Sequence, residues 1–228
     1  MGKMFLDPEE IEKAVNVLGL SLFEIRVLDS FKTLSGYFDN AKTMISQLEK
    51  LDLNGRSVYF TPQVLHEGCS ARIQWNHFVD VSRGRIPTTS DNDVTAYRYL
   101  LVDLDPVRPS GISSSDEELK YAEEIREEVL MFLEAQDLKQ NIVSLSGNGY
   151  HILSRIDLPN TKENVDEVKA MLYRLGELFS TDHCHVDTGN YNPGRIFKMP
   201  GTLAQKGRST EMRPHRMAKI LEVRNGES

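Results

Sequence analysis

Two aspartates, Asp103 and Asp105, close the apolar run Tyr97-Arg98-Tyr99-Leu100-Leu101-Val102. In an extended chain successive side chains point to opposite faces, so both carboxylates leave the strand on the same side. Like charges held this close repel unless a cation or solvent separates them. The pair is therefore a candidate for a divalent metal on a rigid support. The competing reading is a strand that ends in an Asp-rich turn, with Pro106 and Pro109 as punctuation.

Three further groups could complete such a site. Ser146-Gly147-Asn148-Gly149-Tyr150-His151 reads as a strand, a glycine turn and a returning strand that carries a histidine. Its glycines would expose backbone N–H groups able to hold phosphate oxygens, which makes Ser146, Gly149 and His151 nucleotide-binding candidates. Asp187, in His185-Val186-Asp187-Thr188, is a third carboxylate or else a turn residue. Arg195 and Lys198 enter a strand between two Pro/Gly turns. Three carboxylates with a His, an Arg and a Lys suit two-metal phosphoryl chemistry with Mg²⁺ or Mn²⁺, which prefer oxygen ligands. Two such ions about 3.5–4 Å apart can activate a hydroxyl and stabilise a leaving pyrophosphate. Zinc fits poorly, because His183, Cys184 and His185 are adjacent on an extended chain and point oppositely.

The elements that must position these groups follow from periodicity. Asp7-Pro8-Glu9-Glu10 starts a helix with Ile11, Val15 and Leu18 inward, stopped at Gly19. Leu22 to Leu28 reads as a strand. A helix from Asn40 to Leu51 and a strand over Ser57 to Phe60 follow, so the first third alternates helix and strand. Trp75, His77 and Phe78 suggest a short helix on the core. After the strand at 97–104, a helix begins at Ser114 or Ser115 and runs to about Leu138. Ile142 to Ser146 and Tyr150 to Ile156 are paired strands, Thr161 caps a second long helix, and a last strand lies within Val186 to Met199. The order βαββαβ is the ferredoxin-like arrangement, an antiparallel sheet with both helices on one face and the other face open for chemistry.

The 228 residues suffice for one large domain or two small lobes. No apolar run approaches the roughly 20 residues of a membrane span. Cys69 and Cys184 are the two cysteines, too few for a disulfide framework, and a reducing cytoplasm is the expected setting. The net charge of −7 is unevenly spread: Arg195 to Lys219 holds seven Lys or Arg and one acid, whereas Asp116 to Asp137 holds nine acids and two bases. A basic surface can thus coexist with an acidic total. Lys206, Arg208, Arg213 and Arg216 are candidates for nucleic-acid phosphates or are solvated tail charges. Arg83 and Arg85 could reach a phosphate from a loop, or simply be solvated there. Tyr150, Tyr191 and Phe197 either stack on bases or pack the core.

"LLVDLDPVRP", "SLSGNGYHIL" and "HVDTGNYNPGRIFKMPGT", in that order, resemble the three motifs of the archaeo-eukaryotic primase superfamily, in its primase-polymerases of plasmids, phages and mobile elements. "GYFDN" and "VYFTPQVL" are similar to the N-terminal part of that group. The resemblance implies an α+β fold: a small N-terminal α/β unit (1–93) packed on an RRM-like catalytic unit (94–228) with a basic C-terminal segment. It implies that Asp103, Asp105 and Asp187 bind two divalent ions, and that His151, Arg195 and Lys198 contact the incoming triphosphate. Implied partners are a single-stranded DNA template, a primer strand, nucleoside triphosphates and a helicase, fused or separate, with no membrane. Two positions depart from the group's pattern, Gly149 where relatives carry Ser and Gln63 where Asn is expected. The polar ending Arg224-Asn225-Gly226-Glu227-Ser228 would suit a catalytic domain cut from a longer protein. The same residues leave room for two rivals, a two-metal nuclease and a non-catalytic single-strand-binding module.

Overall fold

The computed structural model describes residues 5–225; Gly226, Glu227 and Ser228 of the polar ending lie outside them. Helix α1 (Pro8–Val17) begins where expected, because the Asp7 carboxylate accepts the Glu10 N–H at 3.1 Å and Pro8 presets the first turn. Strands β1 (Phe23–Leu28) and β2 (Thr33–Phe38) form an antiparallel hairpin. Helix α2 (Ala41–Leu48), capped by Asn40, leads to β3 (Ser57–Phe60), β4 (Val64–Leu65), a 3₁₀ turn over Glu67–Arg72, and β5 (Val79–Asp80). The second half runs β6 (Val94–Pro106), α3 (Asp116–Ala135), β7 (Asn141–Leu145), β8 (Tyr150–Pro159), α4 (Lys162–Phe179) and β9 (Cys184–Val186). Short strands β10 (Phe197–Lys198), β11 (Leu203–Ala204) and β12 (Arg216–Met217) precede β13 (Lys219–Arg224).

The fold is mixed α and β with antiparallel sheets. One sheet has the order β10-β3-β1-β2-β5, and the other β13-β7-β8-β6-β4, with β9 paired to the far end of β6. Central β6 is thus flanked by β8 and β9, and α3 and α4 pack Ala122, Val129, Val168 and Leu172 against its Leu100, Val102 and Leu104. Residues of alternate parity face the first sheet: Tyr99, Leu101 and, from β8, Leu153 share a core with Phe23, Ile25 and Phe60.

That second contact corrects an expectation. The face opposite the helices is covered by the first sheet along most of β6, and only the end bearing Asp103 and Asp105 is open. Three other readings change. The first third is helix, hairpin, helix, strand, and its sheet is wholly antiparallel. β2 carries little strand signal in the sequence, because the glycine at its centre is a weak strand former. Gly36 is needed there, since a Cβ would lie 2.9 Å from the His77 carbonyl. The segment Trp75 to Phe78 is not helical; Phe78 packs its ring on Phe38 at 5.1 Å. The anticipated last strand divides into β9, which starts earlier at Cys184, and β10, which pairs with β3 in the other sheet.

Gln63 sits beside an irregularity of β6 between Tyr97 and Tyr99. Its buried amide accepts from the N–H groups of Arg98 (2.7 Å) and Tyr99 (3.1 Å) and donates to the Tyr99 carbonyl at 2.8 Å. A longer side chain than Asn supplies these bonds, which gives the departure at this position a structural use. No helix among the described residues is long and apolar enough to cross a membrane.

Candidate active site

The antiparallel register sets the site. Asp103 of β6 lies directly opposite His151 of β8. On its other side the β9 pairing, Leu104 with Val186 and Asp105 with His185, continues to Asp187, whose N–H donates to the Asp103 carbonyl at 2.9 Å. His151, Asp103 and Asp187 therefore form one row across three strands, and Asp105 and His185 form the next. Side chains at registered and alternate positions share a face, so sequence-distant groups meet without any loop having to fold over.

Each outer carboxylate has an arginine. Arg108 Nη1 is 3.3 Å from Asp105 Oδ1, and Arg195 Nη2 is 3.2 Å from Asp187 Oδ2. Asp187 Oδ1 also accepts the Gly189 N–H at 2.8 Å, and Arg195 Nε donates to the buried Asn190 Oδ1 at 2.7 Å. The turn that carries Arg195 is fixed from outside by Asp91, which accepts from Gly194 N–H and Asn192 Nδ2. Among the described residues Asp103 has no arginine within ion-pair distance, and His151 Nε2 stands 3.5 Å from its Oδ1.

Burial first, then the carboxylates of Asp105 and Asp187, push the Asp103 carboxyl up to about 8. Burial and the charge of Lys198 push the His151 imidazole down to about 3, so it is neutral. Burial alone brings the Lys198 ammonium down to about 7. Among the described residues the Lys198 ammonium makes one hydrogen bond, to the Leu203 carbonyl at 3.0 Å, and the His151 ring packs at a tilt on Phe197 with centroids 4.2 Å apart. Cationic charge is thus scarcest where the deepest carboxyl lies, an arrangement suited to a hard divalent ion with oxygen ligands.

These groups surround a cavity of about 240 Å³ lined by Asp103, Asp105, Ser146, His151, Arg195, Lys198 and Lys206. Asp187 is adjacent to Asp103 but does not line the cavity, and among the described residues no set of three or more His, Cys, Asp or Glu side chains forms a ready metal cage. The donor chemistry nonetheless fits Mg²⁺ or Mn²⁺: three carboxylates, two of them paired with arginines at 3.2–3.3 Å rather than in short charge-assisted bonds. A neighbouring cavity of about 380 Å³ shares Asp105, Arg108 and Lys206 as its wall and also takes in His185.

Several candidates have other engagements. The Ser146 hydroxyl accepts the Gly149 N–H at 3.1 Å and donates to the Gly149 carbonyl at 3.0 Å, so this part of the hairpin satisfies itself and offers no free Gly149 donor. Gly149 serves instead a close approach, since a Cβ there would lie 2.2 Å from the Leu104 carbonyl oxygen. Arg213 forms a bidentate pair with Glu118, both bonds 2.7 Å, and Arg216 binds Asp116 and the Ser114 carbonyl. Both arginines tie the basic segment to the start of α3. Arg83, Arg85 and Arg208 are exposed and do not line the cavity. Tyr150 and Tyr191 pack under Arg126 and Lys169, whereas Phe197 faces the cavity.

Tyr59, Arg108 and Asn190, which are not among the residues the sequence pattern singles out, also line the cavity. Arg108 carried a signal, three residues after Asp105. Tyr59 carried none, because the β3–β10 pairing that brings it to Lys198 joins residues far apart in the chain.

No protein-family model matches the chain, and no curated protein matches it. The crystal structure of primase RepB′ aligns with 94% of this chain and 56% of its own, at 14% identity and a TM-score of 0.50. A crystal structure of the catalytic domain of primase RepB′ in complex with initiator DNA aligns with 94% of this chain and 84% of its own, at 13% identity and a TM-score of 0.47. The chain spans little more than half the length of the first of these solved chains. At 14% identity the likeness to the first of these is one of fold, and the fold is of the primase type.

Proposed function

We propose that this chain is a template-directed nucleotidyltransferase, a DNA primase-polymerase that joins nucleoside triphosphates on a single-stranded template. The observation that carries the reading is the convergence on one cavity of Asp103, Asp105, His151, Arg195 and Lys198, with Asp187 registered beside Asp103. The primase-type fold and the order of the three motifs support it.

In this reading Asp103, Asp105 and Asp187 would hold two Mg²⁺ or Mn²⁺ ions. When bound, such ions ease deprotonation of an attacking hydroxyl and neutralise a leaving pyrophosphate. Arg195 would give up its long contact with Asp187 to bind phosphate oxygens, where charge-assisted bonds are stronger. Lys198, half discharged by burial, would regain its proton against a triphosphate. Neutral His151 can donate one hydrogen bond to a phosphate oxygen without adding charge, while Phe197 holds its ring plane. The neighbouring cavity across Asp105 offers room for the strand end that supplies the hydroxyl.

The test is primer extension on a single-stranded template with Mg²⁺ or Mn²⁺, run beside a degradation assay. The double variant Asp103→Ala/Asp105→Ala is expected to lose extension and keep strand binding. Extension by that variant would overturn the reading. Degradation of the strand by the unaltered protein would favour a nuclease, and binding without either activity a non-catalytic module.

A further inference from the structure

Asn148 lies in the glycine turn between β7 and β8 and is buried, 8% exposed. Its Oδ1 accepts the Ser114 N–H at 3.0 Å, and its backbone carbonyl accepts the Ser114 hydroxyl at 2.6 Å. Its Nδ2 donates to the Lys206 carbonyl at 3.2 Å. One side chain therefore joins three elements remote in sequence: the hairpin of His151, the approach to α3, and the loop of Lys206. The preceding Gly147, at φ +105, lets the hairpin press on the same loop; a Cβ there would lie 2.2 Å from the Ala204 Cβ.

The backbone on both sides of Lys206 is pinned as well. Gln205 donates to the carbonyls of Leu53 and Arg56 and accepts from the Gly55 N–H. Gly207, at φ +84, packs against the Ile112 backbone, where a Cβ would be 2.8 Å away, and the Arg208 N–H donates to the Gly111 carbonyl at 2.8 Å. The Lys206 side chain itself is exposed and lines the cavity. An exposed ammonium on an immobilised backbone suits capture of an anion, because little backbone freedom is left to lose on binding.

We propose that Asn148 is a positioning residue that aims Lys206 at the phosphates of the bound nucleotide, a role that rests on the nucleotidyltransferase reading. Asn148 acts through Lys206, so the two form one functional unit and their substitutions should not add.

The experiment measures affinity for ATP and dATP with Mg²⁺ by calorimetry in a double-variant cycle. Lys206→Ala and Asn148→Ala are each expected to weaken binding about tenfold, and the double variant by about tenfold as well. Ser114→Ala, which leaves the cavity lining intact, should weaken binding a few-fold and add nothing to Asn148→Ala. If Asn148→Ala does not fold, the Ser114→Ala/Lys206→Ala cycle carries the same test. A roughly hundredfold loss in the double variant would mean independent contacts and overturn the proposal. So would unchanged affinity in Asn148→Ala. Failure of the unaltered protein to bind either nucleotide would overturn the nucleotidyltransferase reading itself, and the positioning role with it.

Discussion

His151 Nε2 and Asp103 Oδ1 stand 3.5 Å apart on neighbouring central strands, and burial opposes the charge on each. An exposed His–Asp pair at this distance would ordinarily be attractive. Here the histidine is neutral and the carboxyl holds its proton into the neutral range, so full ionisation of Asp103 at pH 7 calls for a cation beside it.

That protonation has a stability signature. The folded chain binds the Asp103 proton with a pKa of about 8, well above the unfolded value near 3.9. Between those limits unfolding releases a proton, so this group makes the protein less stable as pH rises. Asp103→Asn is expected to raise the Tm at pH 8 in EDTA by about 3–6 °C, roughly 1–2 kcal/mol, and to leave it unchanged at pH 4. Thermal melts of both proteins across this range check the sign, and a variant no more stable than the unaltered chain at pH 8 would count against it.

His151 works in the opposite sense. Its folded pKa of about 3 lies below the unfolded value, so its contribution is present above about pH 6.5 and is lost as pH falls toward 3. In NMR titrations its imidazole is expected to remain neutral at pH 4.5 in the folded protein. A midpoint near 6.5 would show that the ring is solvated rather than packed on Phe197.

Lys198 links protonation to ligand. With its ammonium brought down to about 7 by burial, it is largely neutral at pH 8 in the free protein. A triphosphate would restore the charge, so nucleotide binding at pH 8 is expected to take up a fraction of a proton. Calorimetry in two buffers of different ionisation enthalpy reads the net number directly, and Lys198→Met should remove the uptake and leave only the proton released by Asp103.

The sequence made the site's composition legible and its enclosure obscure. Strand alternation placed Asp103 beside Asp105, helix caps at Asp7, Asn40 and Thr161 fell where Asp, Asn and Thr can accept backbone N–H groups, and the βαββαβ order followed from periodicity. What could not be read was long-range pairing. The β3–β10 ladder that seats Lys198 beside Tyr59, and the β6–β9 ladder that sets Asp187 opposite Asp103, join residues with no local signal of each other. The same limit hid the intramolecular use of Arg213 and Arg216, since a basic run looks alike whether it pairs with α3 or faces water.

Gln63 offers a test of fold without touching the cavity. Gln63→Ala would strand the buried N–H of Tyr99 and the carbonyl of Tyr99 beside the β6 irregularity. The expected cost is about 2–4 kcal/mol, a drop in Tm of roughly 5–12 °C. Gln63→Asn, one methylene shorter, should recover only part of it. Denaturant melts of the two variants would settle whether the amide or merely its volume matters.

Gly149 tests the close approach of the hairpin to β6. Gly149→Ser would place a hydroxyl two residues before His151. Here the new Cβ would meet the Leu104 carbonyl oxygen at 2.2 Å and Pro106 Cδ at 3.2 Å, and Leu104 lies between the two catalytic candidates of β6. Backbone cannot swing away as a flexible side chain can, so relief requires the end of β6 to shift. Gly149→Ser and Gly149→Ala are therefore expected to behave alike, each costing about 2–4 kcal/mol and most of the nucleotide affinity. Gly111→Ala is the control: its left-handed backbone is strained by a side chain, but nothing lies within 4 Å of the added carbon. It should lose only about 1 kcal/mol. A Gly149→Ser protein as stable as the unaltered chain would show that the hairpin and β6 are not in fixed contact, and would remove the steric requirement for glycine at this position.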